Sequence, residues 1–168
     1  AAVALGIKHI KITGGEPLLR KNVTEFIGRL KKTKGIETVT LTTNGILLPN
    51  YIEKLSETGI DGINISLDTL EEKKFRKLTR NGEVKDVWKG IFSVLPYEQI
   101  NVKINCVLAG KDWQKDAVCM AEIAKKYRIH VRFIELMPIQ NRKENGSLEE
   151  EIKALLEDVY GSMRRCEE

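Results

Sequence analysis

Ile10-Lys11-Ile12-Thr13-Gly14-Gly15-Glu16-Pro17 runs from an apolar–polar alternation into two glycines, a carboxylate and a proline. The alternation reads as a β-strand that stops at Thr13. Two glycines let a chain bend sharply and bring bare main chain against a ligand. Glu16 adds an acceptor beside that backbone, and Pro17 presets φ for entry into a helix. The stretch reads as a binding turn at the carboxyl end of a strand, where ligands sit in α/β folds. A βα turn that carries two glycines for steric reasons alone fits the same residues, so the rest of the chain has to decide.

Outward from this turn, strand and helix patterns alternate. The strands expected are Ile7–Thr13, Glu37–Thr43, Gly62–Leu67, Asn101–Leu108 and His130–Leu136. Between them Val23, Phe26, Ile27 and Leu30 fall at i, i+3, i+4 and i+7. Gly35 is placed to end that helix. Ile52 with Leu55, Phe75 with Leu78, Val84 to Leu95, and Ala117 to Tyr127 mark four more. Ser147 and Glu150 form a capping box ahead of Ile152, Leu155, Leu156 and Val159. Such an order predicts a parallel sheet.

Side chains along a strand point alternately to opposite faces. Ile10 and Ile12 oppose His9, Lys11 and Thr13. Val39 and Leu41 oppose Thr38, Thr40 and Thr42. Ile63, Ile65 and Leu67 oppose Asn64, Ser66 and Asp68. Val102, Ile104 and Cys106 oppose Lys103 and Asn105. A parallel sheet covered on both faces reads as apolar on both, and these strands do not. An incomplete βα barrel with a polar interior satisfies the pattern; a flat doubly wound sheet does not. If Arg132 of the fifth strand also points inward, then Lys11, Lys103 and Arg132 converge on one space and call for an anionic ligand, phosphate being the commonest. Pairing of these cations with Asp68 or Glu135, or exposure at strand ends, is the competing account.

The chain has 168 residues, 42% of them hydrophobic and 31% charged, which suits one soluble globular domain with a real core. No apolar run approaches the roughly 20 residues of a membrane span, and the N-terminal Ala1 to Gly6 makes a poor signal peptide. The lack of an initiator Met gives the expectation that the chain begins inside a longer protein. The net charge of +4 is spread over helix faces, so neither nucleic acid nor membrane is expected as a partner. Cys106, Cys119 and Cys166 lie far apart with no CxxC spacing, so a reducing cytoplasm fits and Cys106 and Cys119 are expected to be buried thiols.

Four turns fall at strand ends: Gly14 to Pro17, Thr42-Thr43-Asn44-Gly45, Ser66-Leu67-Asp68-Thr69 and Glu135-Leu136-Met137-Pro138. Each is weak alone. Asn-Gly serves plain turns, and Ser66 with Asp68 would suit a helix cap. Together ITGGEPLLR, TTNG, INISLDTL, LTRNG, VKIN and RFIELMP resemble the GTP 3′,8-cyclase family (MoaA) of radical S-adenosylmethionine enzymes, from about Gly6 to Pro138. The resemblance implies a partial (βα) TIM-like barrel of the radical SAM type with strands 2–6 present. Residues 1–139 would form the barrel core and 140–168 a polar loop and C-terminal helix. It implies S-adenosylmethionine at Gly15, Glu16, Ser66 and the Met137 backbone, and GTP at Lys11, Thr42, Lys103 and Arg132. Lys11 stands where the family commonly has Arg, which keeps the charge and loses bidentate geometry. His9 stands where a Lys is often seen.

The resemblance also implies [4Fe–4S] clusters and a reductant. The family's CxxxCxxC is absent from this chain, as is a second set of three cysteines, so no metal ligand and no catalytic residue is assigned. By resemblance the complete protein converts GTP to the cyclic pyranopterin precursor of the molybdenum cofactor, and this chain alone is expected to be inactive. A homodimer is compatible with all of this. Two other functions stay open: a radical SAM enzyme acting on a peptide or another small molecule, and a cluster-free module that binds a nucleotide in the basic cavity.

Overall fold

A computed structural model describes residues 3–135 and 147–164. Five strands form one sheet: β1 (His9–Ile12), β2 (Thr38–Thr43), β3 (Gly62–Ser66), β4 (Asn101–Leu108) and β5 (His130–Glu135). All neighbours are parallel and their order is sequential, β1-β2-β3-β4-β5. Right-handed crossovers that never reverse direction leave every connecting helix on the same side. The result is a curved part of a βα barrel rather than a doubly wound sheet, in which the order must switch.

The helices are α1 (Val23–Lys31), α2 (Leu48–Glu57), α3 (Glu72–Thr79), α4 (Val84–Val94), α5 (Trp113–Lys126) and α6 (Leu148–Tyr160). A short 3-10 turn, Pro17–Leu19, leads out of the glycine turn. Gly35 (φ +95°) and Gly59 (φ +75°) follow α1 and α2 in the left-handed region, which costs glycine little. Ser147 caps α6, its Oγ accepting from the Glu150 N–H at 3.3 Å. α6 joins the core through Ile152 and Leu156, and its Tyr160 hydroxyl donates to Glu122 Oε1 on α5 at 2.7 Å.

The core lies between sheet and helices. Val39, Leu41, Ile63, Ile65, Val102, Ile104 and Cys106 are all buried there, against Ile27, Leu55, Ile91 and Met120 from the helices. At one point helix and turn meet backbone to backbone. A Cβ on Gly90 of α4 would stand 2.0 Å from the Gly45 carbonyl oxygen, so only glycine lets α4 rest against the turn after β2. Strand positions agree with the sequence within two residues at each described end; β4 agrees at both.

Candidate functional site

Laterally paired residues of a parallel sheet share a face, so the register shows what the other side of the sheet presents. One row holds Lys11, Thr40, Gly62 and Asn101. The next holds Thr42, Asn64, Lys103 and His130. The third, nearest the strand ends, holds Ser66, Asn105 and Arg132. The sites predicted for Lys11, Thr42, Lys103, Arg132 and Ser66 are therefore on one face, opposite the apolar core. Their burial fits: Lys11, Ser66 and Arg132 are exposed, Thr42 and Lys103 half-buried.

No ion pair forms at Lys11, Lys103 or Arg132 among the described residues. Of the competing account, pairing with Asp68 or Glu135 is not found among the described residues, whereas exposure holds for Lys11 and Arg132. β3 ends at Ser66, so the alternation stops before Asp68. The Asp68 carboxylate instead accepts from the Val107 N–H at 2.8 Å, and the carboxyl's pKa is raised, first by burial and then by nearby Asp116. Nor does Ser66 or Asp68 cap a helix: α3 has Glu71 at its cap position, without a side-chain bond.

The glycine turn presents bare backbone to the open side. Gly14 (φ +153°) holds a conformation that L side chains rarely adopt. Neither it nor Gly15 has any atom within 4 Å of where a Cβ would stand, so no packing demands glycine at these positions. Glu16 has a different part. Its Oε1 accepts from the Leu18 N–H (3.1 Å) and the Thr43 hydroxyl (2.7 Å), and its Oε2 accepts from the Asn44 N–H (2.8 Å). One carboxylate thus ties the turn after β1 to the turn after β2. Thr43 completes the tie by accepting from the Gly45 N–H at 3.1 Å, and the Asn44 side chain accepts from the Ile46 N–H at 3.0 Å.

A second tie holds the turn after β3. The fully buried Thr69 hydroxyl donates to Asp116 Oδ1 of α5 at 2.5 Å and accepts from the Glu71 N–H at 3.1 Å. Lys74 of α3 pairs with the other Asp116 oxygen and reaches the Ala109 carbonyl at 3.4 Å. Sequence reasoning missed Asp116 because it lies on a helix, among residues whose spacing reads as ordinary core. The one available signal was an acid flanked by the buried Ala117 and Met120. Met137 and Cys166 lie outside the described residues.

The family model of the radical SAM superfamily matches residues 1–111. The chain belongs to the radical SAM superfamily. A curated relative, the GTP 3′,8-cyclase of Heliobacterium modesticaldum, is 47% identical over 138 residues, 82% of this chain and 42% of the relative. That of Moorella thermoacetica is 40% identical over 162 residues, 95% of this chain and 50% of the relative. The chain spans about half the length of the curated relatives it matches. Among solved structures, that of TYW1 with a lysine-pyruvate adduct bound aligns with a TM-score of 0.65 at 24% identity, covering 92% of this chain and 51% of that one, a likeness of fold.

Members of the superfamily use S-adenosylmethionine and [4Fe–4S] clusters. The open Gly14-Gly15 backbone and the exposed Ser66 fit the first. The second finds no ligand set among the described residues: no group of His, Cys, Asp and Glu is placed to hold a metal. The Cys106 thiol is buried in the core, and burial pushes its pKa up to about 12. Cys119, expected to be buried, is only half-buried on α5. A cluster, whose ligands must be thiolates, does not fit these residues.

Proposed function

We propose that this chain is the ligand-holding part of a GTP 3′,8-cyclase, whose complete protein makes the cyclic pyranopterin precursor of the molybdenum cofactor from GTP. The observation that carries this is the set of Lys11, Lys103 and Arg132 on one sheet face with no carboxylate partner among the described residues. Unpaired cations beside half-buried polar groups suit a triphosphate, since charge-assisted bonds to phosphate are short and strong. Thr42, in the same row as Lys103, adds a hydroxyl. The similarity to curated GTP 3′,8-cyclases supports the same reading.

S-adenosylmethionine, which supplies the hydrogen-abstracting group when bound, would rest on the Gly15 backbone and Ser66, beside Glu16 and the Met137 backbone. Gly15 offers main-chain groups without steric cover, and Ser66 a hydroxyl at the strand end. The cluster ligands would come from outside these 168 residues, with a reductant as partner. A cytoplasmic homodimer is part of the same proposal; no helix among the described residues is long and apolar enough to cross a membrane.

The test is ligand binding to the complete enzyme. Lys103→Ala and Arg132→Ala are each expected to lower GTP affinity about 10- to 100-fold, the range for one charge-assisted bond. S-adenosylmethionine affinity should stay within about twofold of wild type. Equal losses for both ligands would overturn the assignment.

A further inference from the structure

Gly28 of α1 and Gly90 of α4 both lie inside helices, where alanine is the better residue on intrinsic grounds. The fold treats them differently. At Gly28 a Cβ would meet nothing nearer than the Thr58 side chain at 3.7 Å, an ordinary contact, so alanine fits. At Gly90 a Cβ would stand 2.9 Å from the Gly45 carbonyl carbon and closer still to its oxygen. What rests on Gly90 is the turn after β2. Gly45 is buried against the Ile65 and Val87 side chains, and its φ of +86° itself suits glycine. Its carbonyl oxygen accepts from the Leu48 N–H at 3.2 Å, at the start of α2. The residue before it, Asn44, gives its own N–H to Glu16 Oε2 at 2.8 Å.

Contact therefore runs from α4 through Gly45 and Asn44 to Glu16, and from Glu16 to the Gly14-Gly15 turn. A methyl on Gly90 has to move the turn after β2 by about 1 Å, and that distance carried to Asn44 takes its bond to Glu16 beyond hydrogen-bonding range. We propose that Gly90 is a positioning residue for S-adenosylmethionine. Its missing side chain sets how near the turn after β2 lies to Glu16, and through Glu16 the pitch of the glycine turn. The inference rests on the placement of S-adenosylmethionine at Gly15 made above. Val87, one turn earlier on α4, is the side wall of the same seat, its Cγ1 3.4 Å from where a Gly45 Cβ would stand. Thr42 lies further back, in the β2 ladder beside Asn64, so the GTP side is outside this chain of contacts.

The test compares two pairs of variants in the complete enzyme, by S-adenosylmethionine affinity, GTP affinity and ligand-free melting temperature. Gly90→Ala and Gly28→Ala make the same change in a tight and a roomy place. Gly90→Ala should lower S-adenosylmethionine affinity about tenfold, the worth of one hydrogen bond, and GTP affinity less than about threefold. Gly28→Ala should leave both as in wild type. Val87→Ala and Val94→Ala make the same truncation at two fully buried positions of α4, one beside Gly45 and one two turns away. Both should lower the melting temperature alike, and only Val87→Ala should lower S-adenosylmethionine affinity, by about threefold. This pair decides the matter if Gly90→Ala does not fold. S-adenosylmethionine affinity unchanged in Gly90→Ala and Val87→Ala would overturn the proposal. So would equal losses for both ligands, or a loss in Val94→Ala that matches Val87→Ala, since each means a general loosening of the fold. Wild-type enzyme that binds S-adenosylmethionine but not GTP would sink the cyclase reading, and the S-adenosylmethionine measurements would then decide Gly90 alone. Wild-type enzyme that binds neither overturns both.

Discussion

The turn after β1 and the turn after β3 are each held by an acidic side chain, and by different means. At the first, Glu16 collects three donors from two turns and sits half-exposed. At the third, Asp68 accepts a single backbone N–H, and the anchoring passes inward through Thr69 to Asp116 and Lys74 on the helices. The first turn is a clasp at the rim. The other is rooted in the helical layer. A rim clasp sets the geometry of exposed backbone at small cost to overall stability, whereas a rooted turn ties the same end of the sheet to the fold's core. Removing one clasp should therefore affect ligand binding, and cutting one root should affect folding.

Asp116→Ala gives the largest expected effect. It strips the fully buried Thr69 hydroxyl of its acceptor and leaves Lys74 without its partner. Breaking a buried pair costs about 3–5 kcal/mol; with Lys74 a quarter exposed, about 2–3 kcal/mol is expected in urea unfolding. Asp116→Ala at less than 1 kcal/mol would erase the contrast between the two turns.

Thr43→Val comes next and isolates the rim clasp. Thr43 is buried in the helical layer, away from the open face, so only its bonds to Glu16 and Gly45 are lost. About 1 kcal/mol of stability should go. S-adenosylmethionine affinity in the complete enzyme should fall about fivefold with GTP affinity unchanged, and Thr43→Ser should restore it. An affinity that does not move would mean that Glu16 holds its turn without Thr43.

Asp68→Asn gives the smallest effect. The native pKa of Asp68 is raised, so the folded chain binds its proton more tightly than the unfolded chain does, and stability falls as pH rises through the carboxylate range. Asparagine keeps an acceptor for the Val107 N–H and removes the charge. The variant should be more stable than wild type at pH 7, with the gain fading as pH falls through the raised pKa of the folded chain and gone below about pH 4, the ordinary carboxylate value. A gain that persists at pH 3 would rule out desolvation as its cause.

Much of this molecule is readable along the chain, because alternation along a strand is a local property. Val39-Thr40-Leu41-Thr42 shows which face is wet without knowledge of any partner strand. The grouping of Lys103, Arg132 and Ser66 follows from that alternation once the strands are taken as parallel. What escapes is anything set by register. Glu16 reads as a ligand acceptor in sequence, and only the adjacency of β1 and β2 shows its oxygens given to Thr43 and Asn44. Asp68 reads as inward-facing because the alternation was carried beyond the end of β3. Nor does VKIN show that the buried Asn105 amide oxygen lacks a hydrogen-bond partner among the described residues while Asn64, on the next strand, donates to the Leu41 carbonyl; only the three-dimensional environment distinguishes the two.

Cys106 is both sealed in the core and held as the neutral thiol. An alkylating reagent added to the folded chain finds neither access nor thiolate there, so Cys106 is modified only when β4 leaves the sheet. Peptide mapping of label at that one sulfur would time the opening of the strand that carries Lys103 and Asn105, giving the lifetime of the cavity wall without any ligand or activity to follow.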